Sequence, residues 1–392
     1  MKKSNSTALA QIGLFPLGNV QSTTTPAINT TTFTVRSLSE LAPINNSSLI
    51  KIRNKLFSKL YYGGVDTPTT RQLSLKIAKI EKGKFALLAP SGQSAIHLLI
   101  AARALPGDHI LICDTVTYST QWLLDQHFAA IGIEVEYFEP SEASSLSSRL
   151  KSNTKIVFWE SPGAFTYELV DGRAVVEACK NHSAFTVVDN TWAASTFYHP
   201  LEIGVDATLI SMTKSHAAVN GISLGAIVTN HQDFFESVKA VAALLGSHVS
   251  SETCASALYS MSTLSARLSL QMSTTRYIID VLTGLPAIKR VLHPTVPNDQ
   301  DNLFNRDYSG FNSLISIEFA CHYEEVITRI DRLRVIKVGY GWGGTISLVS
   351  PFNPAEWRSA KRLDLRSSYA RIYLGLEDAH DIEMDLRNAF GP

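Results

Sequence analysis

From residue 84 onward the chain alternates short apolar runs with stretches of helical spacing. The runs are Phe85-Ala-Leu-Leu88, Ile110-Leu-Ile-Cys113, Val135-Glu-Tyr-Phe138, Ile156-Val-Phe-Trp159, Phe185-Thr-Val-Val188, Thr208-Leu-Ile210 and Ala226-Ile-Val228. Strands that alternate in polarity have one face in water. These do not alternate, so both faces must be covered. Strands of this kind separated by helices predict an α/β fold with a mostly parallel sheet between two helical layers. Such sheets bind ligands at the carboxyl ends of their strands. The polar residues that follow these runs are therefore the ones to weigh: Ser91-Gly92-Gln93, Asp114, Glu160-Ser161-Pro162, Asp189-Asn190-Thr191, and Ser211, Thr213 and Lys214.

Lys214 leaves the run Ala207–Ile210 beside two hydroxyls. A lysine after a strand is ordinarily a surface charge. Desolvated, it would have a lowered pKa and could form a Schiff base. Ser91-Gly92 opening a helix is an ordinary N-cap and also an anion site, because first-turn N–H groups and the helix dipole point outward. An amine, a carboxylate, a phosphate cradle and an arginine around one pocket would suit pyridoxal 5′-phosphate (PLP).

At 392 residues the chain exceeds one ordinary core, which predicts more than one domain. Residues 1–60 are rich in Ser, Thr, Asn and Pro and read as an extended arm making subunit contacts, anchored by Ile28, Phe33, Val35 and Leu41. Residues 61–250 carry the sheet pattern. Residues 251–392 read as a smaller α+β C-terminal domain, with strands at 288–294, 313–319, 334–338, 346–349 and 370–374 and helices at 323–333 and 378–390. A helix is expected over 71–82, another over 118–131, and one or two over 250–282. The formal net charge is zero, which gives no electrostatic case for nucleic acid or an anionic membrane. No apolar run is long enough for a membrane span. Four scattered cysteines and no signal-like N-terminus predict free thiols in a cytoplasmic protein. No metal-ligand spacing is present.

Six blocks in order resemble the Cys/Met-metabolism family of PLP-dependent enzymes, most of all its bacterial cystathionine β-lyase branch. They are Ala89-Pro-Ser-Gly-Gln-Ser-Ala-Ile96, Thr154-Lys-Ile-Val-Phe-Trp-Glu-Ser-Pro-Gly163, Val188-Asp-Asn-Thr-Trp-Ala-Ala194, Ser211-Met-Thr-Lys214, Tyr340-Gly-Trp-Gly-Gly344 and Arg371-Ile-Tyr-Leu-Gly-Leu-Glu-Asp378. The resemblance implies a PLP-dependent transferase type I, aspartate aminotransferase-like fold. It implies Lys214 as the lysine joined to the cofactor and as the proton shuttle, with Asp189 on the pyridine nitrogen. Gly92, Gln93, Ser211 and Thr213 would hold the phosphate, and Arg371 the substrate carboxylate. Tyr340, Gly341, Trp342 and Tyr118 would lie in the substrate pocket. Tyr62 would reach into a neighbouring subunit's site, giving a homodimer with shared sites and commonly a homotetramer.

Three positions depart from the pattern. Gly64 stands where relatives carry an interfacial arginine, which Arg71 could replace. Thr117 stands where they carry a ring-stacking tyrosine, with Tyr118 beside it. Gly341 stands where a serine often precedes the tryptophan. The expected activity is elimination or replacement of a β- or γ-substituent on an amino acid, as in carbon–sulfur cleavage of a cystathionine-type substrate. The alternative is γ-replacement with a second, nucleophilic co-substrate in a specialised biosynthetic pathway. A remoter one is a non-catalytic binding protein that keeps the fold.

Overall fold

The computed structural model describes residues 4–37, 60, 62–298, 300–356, 358, 360 and 368–391. A short helix, Asn5–Ala10, precedes a hairpin of β1 (Phe15–Leu17) and β2 (Val20–Ser22). The large sheet contains β3 (Phe85–Ala89), β4 (His109–Cys113), β5 (Glu134–Phe138), β6 (Thr154–Glu160), β7 (Phe185–Asp189), β8 (Ala207–Ile210) and β9 (Gly225–Thr229). Its order is β3-β9-β8-β7-β6-β4-β5. All neighbours are parallel except β9, which runs antiparallel to β3 and β8. The ends of β3, β4, β6, β7 and β8 therefore share one edge.

Alternation along each strand feeds two cores. Ile110 and Ile112 pack with Leu99, Phe158 and Val238 on one face. Leu111 and Cys113 pack with Trp159, Val175 and Leu146 on the other. The smaller sheet holds β10 (Ile288–Leu292), β11 (Leu314–Phe319), β12 (Lys337–Val338), β13 (Leu348–Phe352) and β14 (Ser368–Tyr373), in the order β10-β11-β14-β13-β12. Helices Leu264–Thr283 and Ala379–Phe390 supply Ile278, Leu282, Ile382 and Leu386 to its core.

Several boundaries differ from the sequence reading. The helix expected from Arg71 starts at Pro68, because Thr67 and Thr70 cap each other reciprocally and proline suits the first helical position. The helix expected over 118–131 is Tyr118–Leu123, followed by a wider π turn over Leu124–Phe128. The stretch 250–282 is two helices, Ser251–Met261 and Leu264–Thr283. The N-terminal stretch holds a helix and a hairpin that its polar composition did not suggest. Leu9 and Ile12 are buried in the main body, and the backbone at Ile28 is tied to Thr69 and Ser251. Leu41 lies outside the described residues.

Candidate active site

A cavity of about 520 Å³ opens at the shared strand edge, lined by residues from both sheets. Of the sequence candidates it gathers Gly92, Gln93, Tyr118, Asp189, Ser211, Thr213, Lys214, Tyr340, Trp342 and Arg371. Gly341 sits between two of these without lining the cavity itself. Tyr62 does not line it, and Gly64 and Arg71 line a separate cavity of about 350 Å³. There Arg71 Nε pairs with Asp66 Oδ2 at 2.7 Å, and Lys239 Nζ lies 3.4 Å from the same oxygen. The Tyr62 ring lies over Gly64, where an added Cβ would come 2.8 Å from its Cε1 atom. A longer side chain at 64 requires the tyrosine to move.

The phosphate-type corner is the start of helix Gly92–Arg103. Ser91 caps it by accepting the Ser94 N–H at 3.0 Å. First-turn N–H groups have no intrahelical carbonyl, so those of Gly92 and Gln93 are donors at the cavity wall. Gly92 is obligatory here: a Cβ would fall 2.6 Å from Ser211 Cβ and 2.7 Å from its Oγ. Gly225 is equally tight, with Ser91 O 2.2 Å from its virtual Cβ. The two walls of the cradle therefore touch only because both positions lack side chains. Thr213 lines the cavity, but its hydroxyl donates to Leu224 O at 3.1 Å. A phosphate contact from Thr213 would exchange that carbonyl for an anionic oxygen.

Asp189 ends β7, and its Oδ1 accepts the Thr191 N–H at 2.9 Å. The Thr191 hydroxyl in turn accepts the Ser211 N–H at 2.7 Å. Thr191 thus joins the carboxylate end of the site to the phosphate end, a role its position in Asp-Asn-Thr did not reveal. Lys214 has its pKa lowered by burial and by the Arg371 charge, against the pull of Asp189 and Glu160. Its ammonium lies 5.7 Å from the centre of the Trp342 ring. Gly343, with φ +97°, presses on the Lys214 backbone, since a Cβ there would be 2.5 Å from Lys214 C. The Trp-Gly-Gly block is therefore a backbone fit around the lysine as well as a pocket wall.

Glu160 stands opposite Asp189 in the β6–β7 register. The sequence reading noted it at a strand end but gave it no role. Burial first, then the Asp189 charge, push its pKa well up, against the Thr117 N–H, Arg371 and Lys214. Asp189 is also raised by burial, but Thr191 and Lys214 hold it down. Glu160 Oε2 accepts the Thr117 N–H at 2.8 Å. That bond holds the loop in which Thr117 precedes the helix and Tyr118 is its first residue, and both line the cavity. Arg371, on β14, lies 4.7 Å from the Phe165 ring centre and donates to Tyr340 O. Phe165 and Tyr167 both have left-handed backbones, φ 66° and 56°, a strain that clusters at functional sites.

Asp114, the remaining acid at a strand end, faces away from the cavity. It pairs with Arg358 Nε at 2.9 Å, and both side chains are wholly shielded from solvent. Arg358 also reaches Glu168 at 2.5 Å. Among the described residues no acid, histidine and cysteine cluster could hold a metal ion, and no helix is long and apolar enough to cross a membrane.

The donor set fits PLP. An amine and a carboxylate held by the Thr191 N–H line one cavity, a glycine-lined helix start offers N–H groups, and an arginine stacks on Phe165 beside them. Residues 6–391 match the family described as Cys/Met metabolism PLP-dependent enzyme. The chain is 31% identical to the L-alanine/L-glutamate racemase of Wolbachia pipientis wMel over 355 residues, covering 88% of this chain and 86% of that protein. It is 30% identical to the cystathionine beta-lyase MetC of Escherichia coli K12 over 346 residues, 86% of this chain and 87% of that one. The crystal structure of metB from Corynebacterium glutamicum superposes with a TM-score of 0.88 at 26% identity, covering 99% of this chain and 98% of that one.

Proposed function

The chain belongs to the Cys/Met metabolism PLP-dependent enzyme family, and from that premise we propose that it removes the α-proton of an amino acid and expels a β- or γ-substituent, with carbon–sulfur elimination on a cystathionine-type substrate as the reaction. PLP, when bound, supplies the electron sink that makes the α-proton acidic. The observation that carries the reading is that Lys214, Asp189 and Arg371 line one cavity together with the Gly92 helix start. Lys214 Nζ, its pKa lowered by burial, takes the proton from Cα and returns it to the leaving group. Asp189 is the anion for the ring nitrogen. Gly92 N–H, Gln93 N–H and the Ser211 hydroxyl hold the phosphate. Arg371, oriented by Phe165 and the Tyr340 carbonyl, takes the α-carboxylate with its planar fork. Glu160, its pKa raised by burial and by Asp189, holds the Thr117 N–H at the cavity wall.

A second reading is γ-replacement by a nucleophilic co-substrate. Its support is the room left at Thr117, which lines the cavity with a methyl and a hydroxyl in place of a ring. Tyr62, 56% exposed, supports a homodimer in which each subunit completes its partner's site. Incubation with a cystathionine-type thioether decides between the two readings. Keto acid release with a free thiol supports elimination. Consumption of an activated homoserine only with an added nucleophile, without keto acid, supports replacement. Loss of chirality at Cα without bond cleavage, or a protein indifferent to B6 aldehyde, overturns both.

A further inference from the structure

Behind the cavity floor lies a buried acid that the proposed chemistry leaves unused. Glu81 caps helix Pro68–Ile80 at its C-terminus. Lys82 follows with φ 61°, and Gly83 N–H returns to Ala78 O at 2.8 Å. Glu81 follows Ile77 and Ala78 by four and three residues, so it lies on the buried face of the helix with them. It is fully shielded from solvent. A carboxylate is poorly placed at this end of a helix, where the dipole is negative.

Its partners are neutral. Asn190 Nδ2 lies 3.1 Å from Glu81 Oε2 and 3.3 Å from Oε1, and also donates to Tyr198 O at 3.1 Å. The Ser195 hydroxyl bonds to it as well and lies 2.7 Å from His216 Nε2. Two titratable groups face this cluster. Asp189 on the cavity side is repulsive to a Glu81 anion. His216, behind Ser195, is kept neutral by burial, its pKa pushed down to about 3. Burial and Asp189 push Glu81 up to about 7. Asn190 directly follows Asp189, and the same turn ends in Ala194 and Ser195, both left-handed. Glu81 grips that turn at Asn190 and Ser195.

We propose that Glu81 is a positioning residue for Asp189. As a neutral carboxylic acid it fixes the Asn190–Ser195 turn that aims Asp189 into the cavity, and it leaves Asp189 as the anion at that end. The inference rests on the reading of Asp189 as the partner of the cofactor's ring nitrogen.

The test has two arms. Infrared difference spectra of the apoprotein, wild type minus Glu81→Gln, show the C=O band of a protonated carboxylic acid below pH about 7. Cofactor titration shows Glu81→Gln binding PLP within about twofold of wild type, while Glu81→Ala weakens binding about tenfold or more. The nitrogen-15 resonance of the bound ring moves in the alanine variant and stays in the glutamine variant, which a merely structural loss would not produce. Should Glu81→Ala fail to fold, Asn190→Ala carries the same expectation. Absence of the acid band overturns the proposal, as does a Glu81→Gln protein as weak as Glu81→Ala. The infrared arm needs no cofactor, so a wild type that ignores PLP sinks the functional reading and leaves the state of Glu81 still decided.

Discussion

Glu81→Gln also changes how stability depends on pH, and the sign can be worked out. The group ionises at the ordinary 4.5 in the unfolded chain and at about 7 in the fold. Between those values the native state holds a proton that the unfolded chain has released. Stability from this group is therefore fully present below pH 4.5, falls as pH rises, and is lost once pH passes the folded value. The full loss is roughly 3 kcal/mol, a sizeable part of a typical net stability. Glutamine has no proton to release. Its carbonyl can accept from Asn190 Nδ2, and its amide can donate to the buried Thr208 hydroxyl, which bonds the Glu81 carboxyl in the wild type. The two proteins should match near pH 4.5, and the variant should lead by roughly 3 kcal/mol near pH 8. His216 acts in the opposite sense, as its folded pKa is depressed to about 3, but it is present in both proteins and cancels. Urea unfolding of the apoproteins across this range measures the difference. A pH-independent difference would refute the reasoning, and a wild type that gains on the variant as pH rises would show an ionised, paired Glu81.

Gly92→Ala should cost about 1–3 kcal/mol through overpacking on Ser211 and weaken PLP binding at least about tenfold, read by cofactor titration. Arg358→Met leaves Asp114 and Glu168 facing each other's surroundings without their cation, and should cost about 3–5 kcal/mol in thermal or urea unfolding. Lys214→Ala should abolish the visible absorbance that PLP gains on binding and abolish turnover, while leaving the unfolding midpoint near that of the wild-type apoprotein. Raising pH through the depressed Lys214 ionisation should increase the rate of α-proton exchange, measured by deuterium uptake at Cα; a rate that falls over that limb would remove Lys214 as the base.

The large sheet was legible because its strands are uninterrupted apolar runs, and both-face burial forces that composition. The polar residues after those runs were legible for the same reason, since parallel strands share an edge. Their individual duties were not. Asp114 and Glu160 look alike as acids after strands, yet one is drawn to Arg358, far along the chain, and the other to the Thr117 amide. Glu81 sits in Lys-Ile-Glu-Lys at a helix end, which reads as a solvated face, yet it follows Ile77 by four residues and shares that buried side of the helix. β9 runs antiparallel to β8 after the long connection 211–224, a direction that an apolar run alone does not encode. The N-terminal hairpin escapes a sequence reading because its two three-residue strands are mostly exposed and carry no apolar run.

Gly343 carries a mechanical consequence. The loop it belongs to hangs from the smaller sheet, yet its backbone rests on the peptide unit of Lys214, which hangs from the larger one. Any rocking of one layer against the other must therefore push on, or release, the very peptide that carries the reactive amine. Opening the cleft to admit a substrate and setting the height of that amine are, in this molecule, a single displacement.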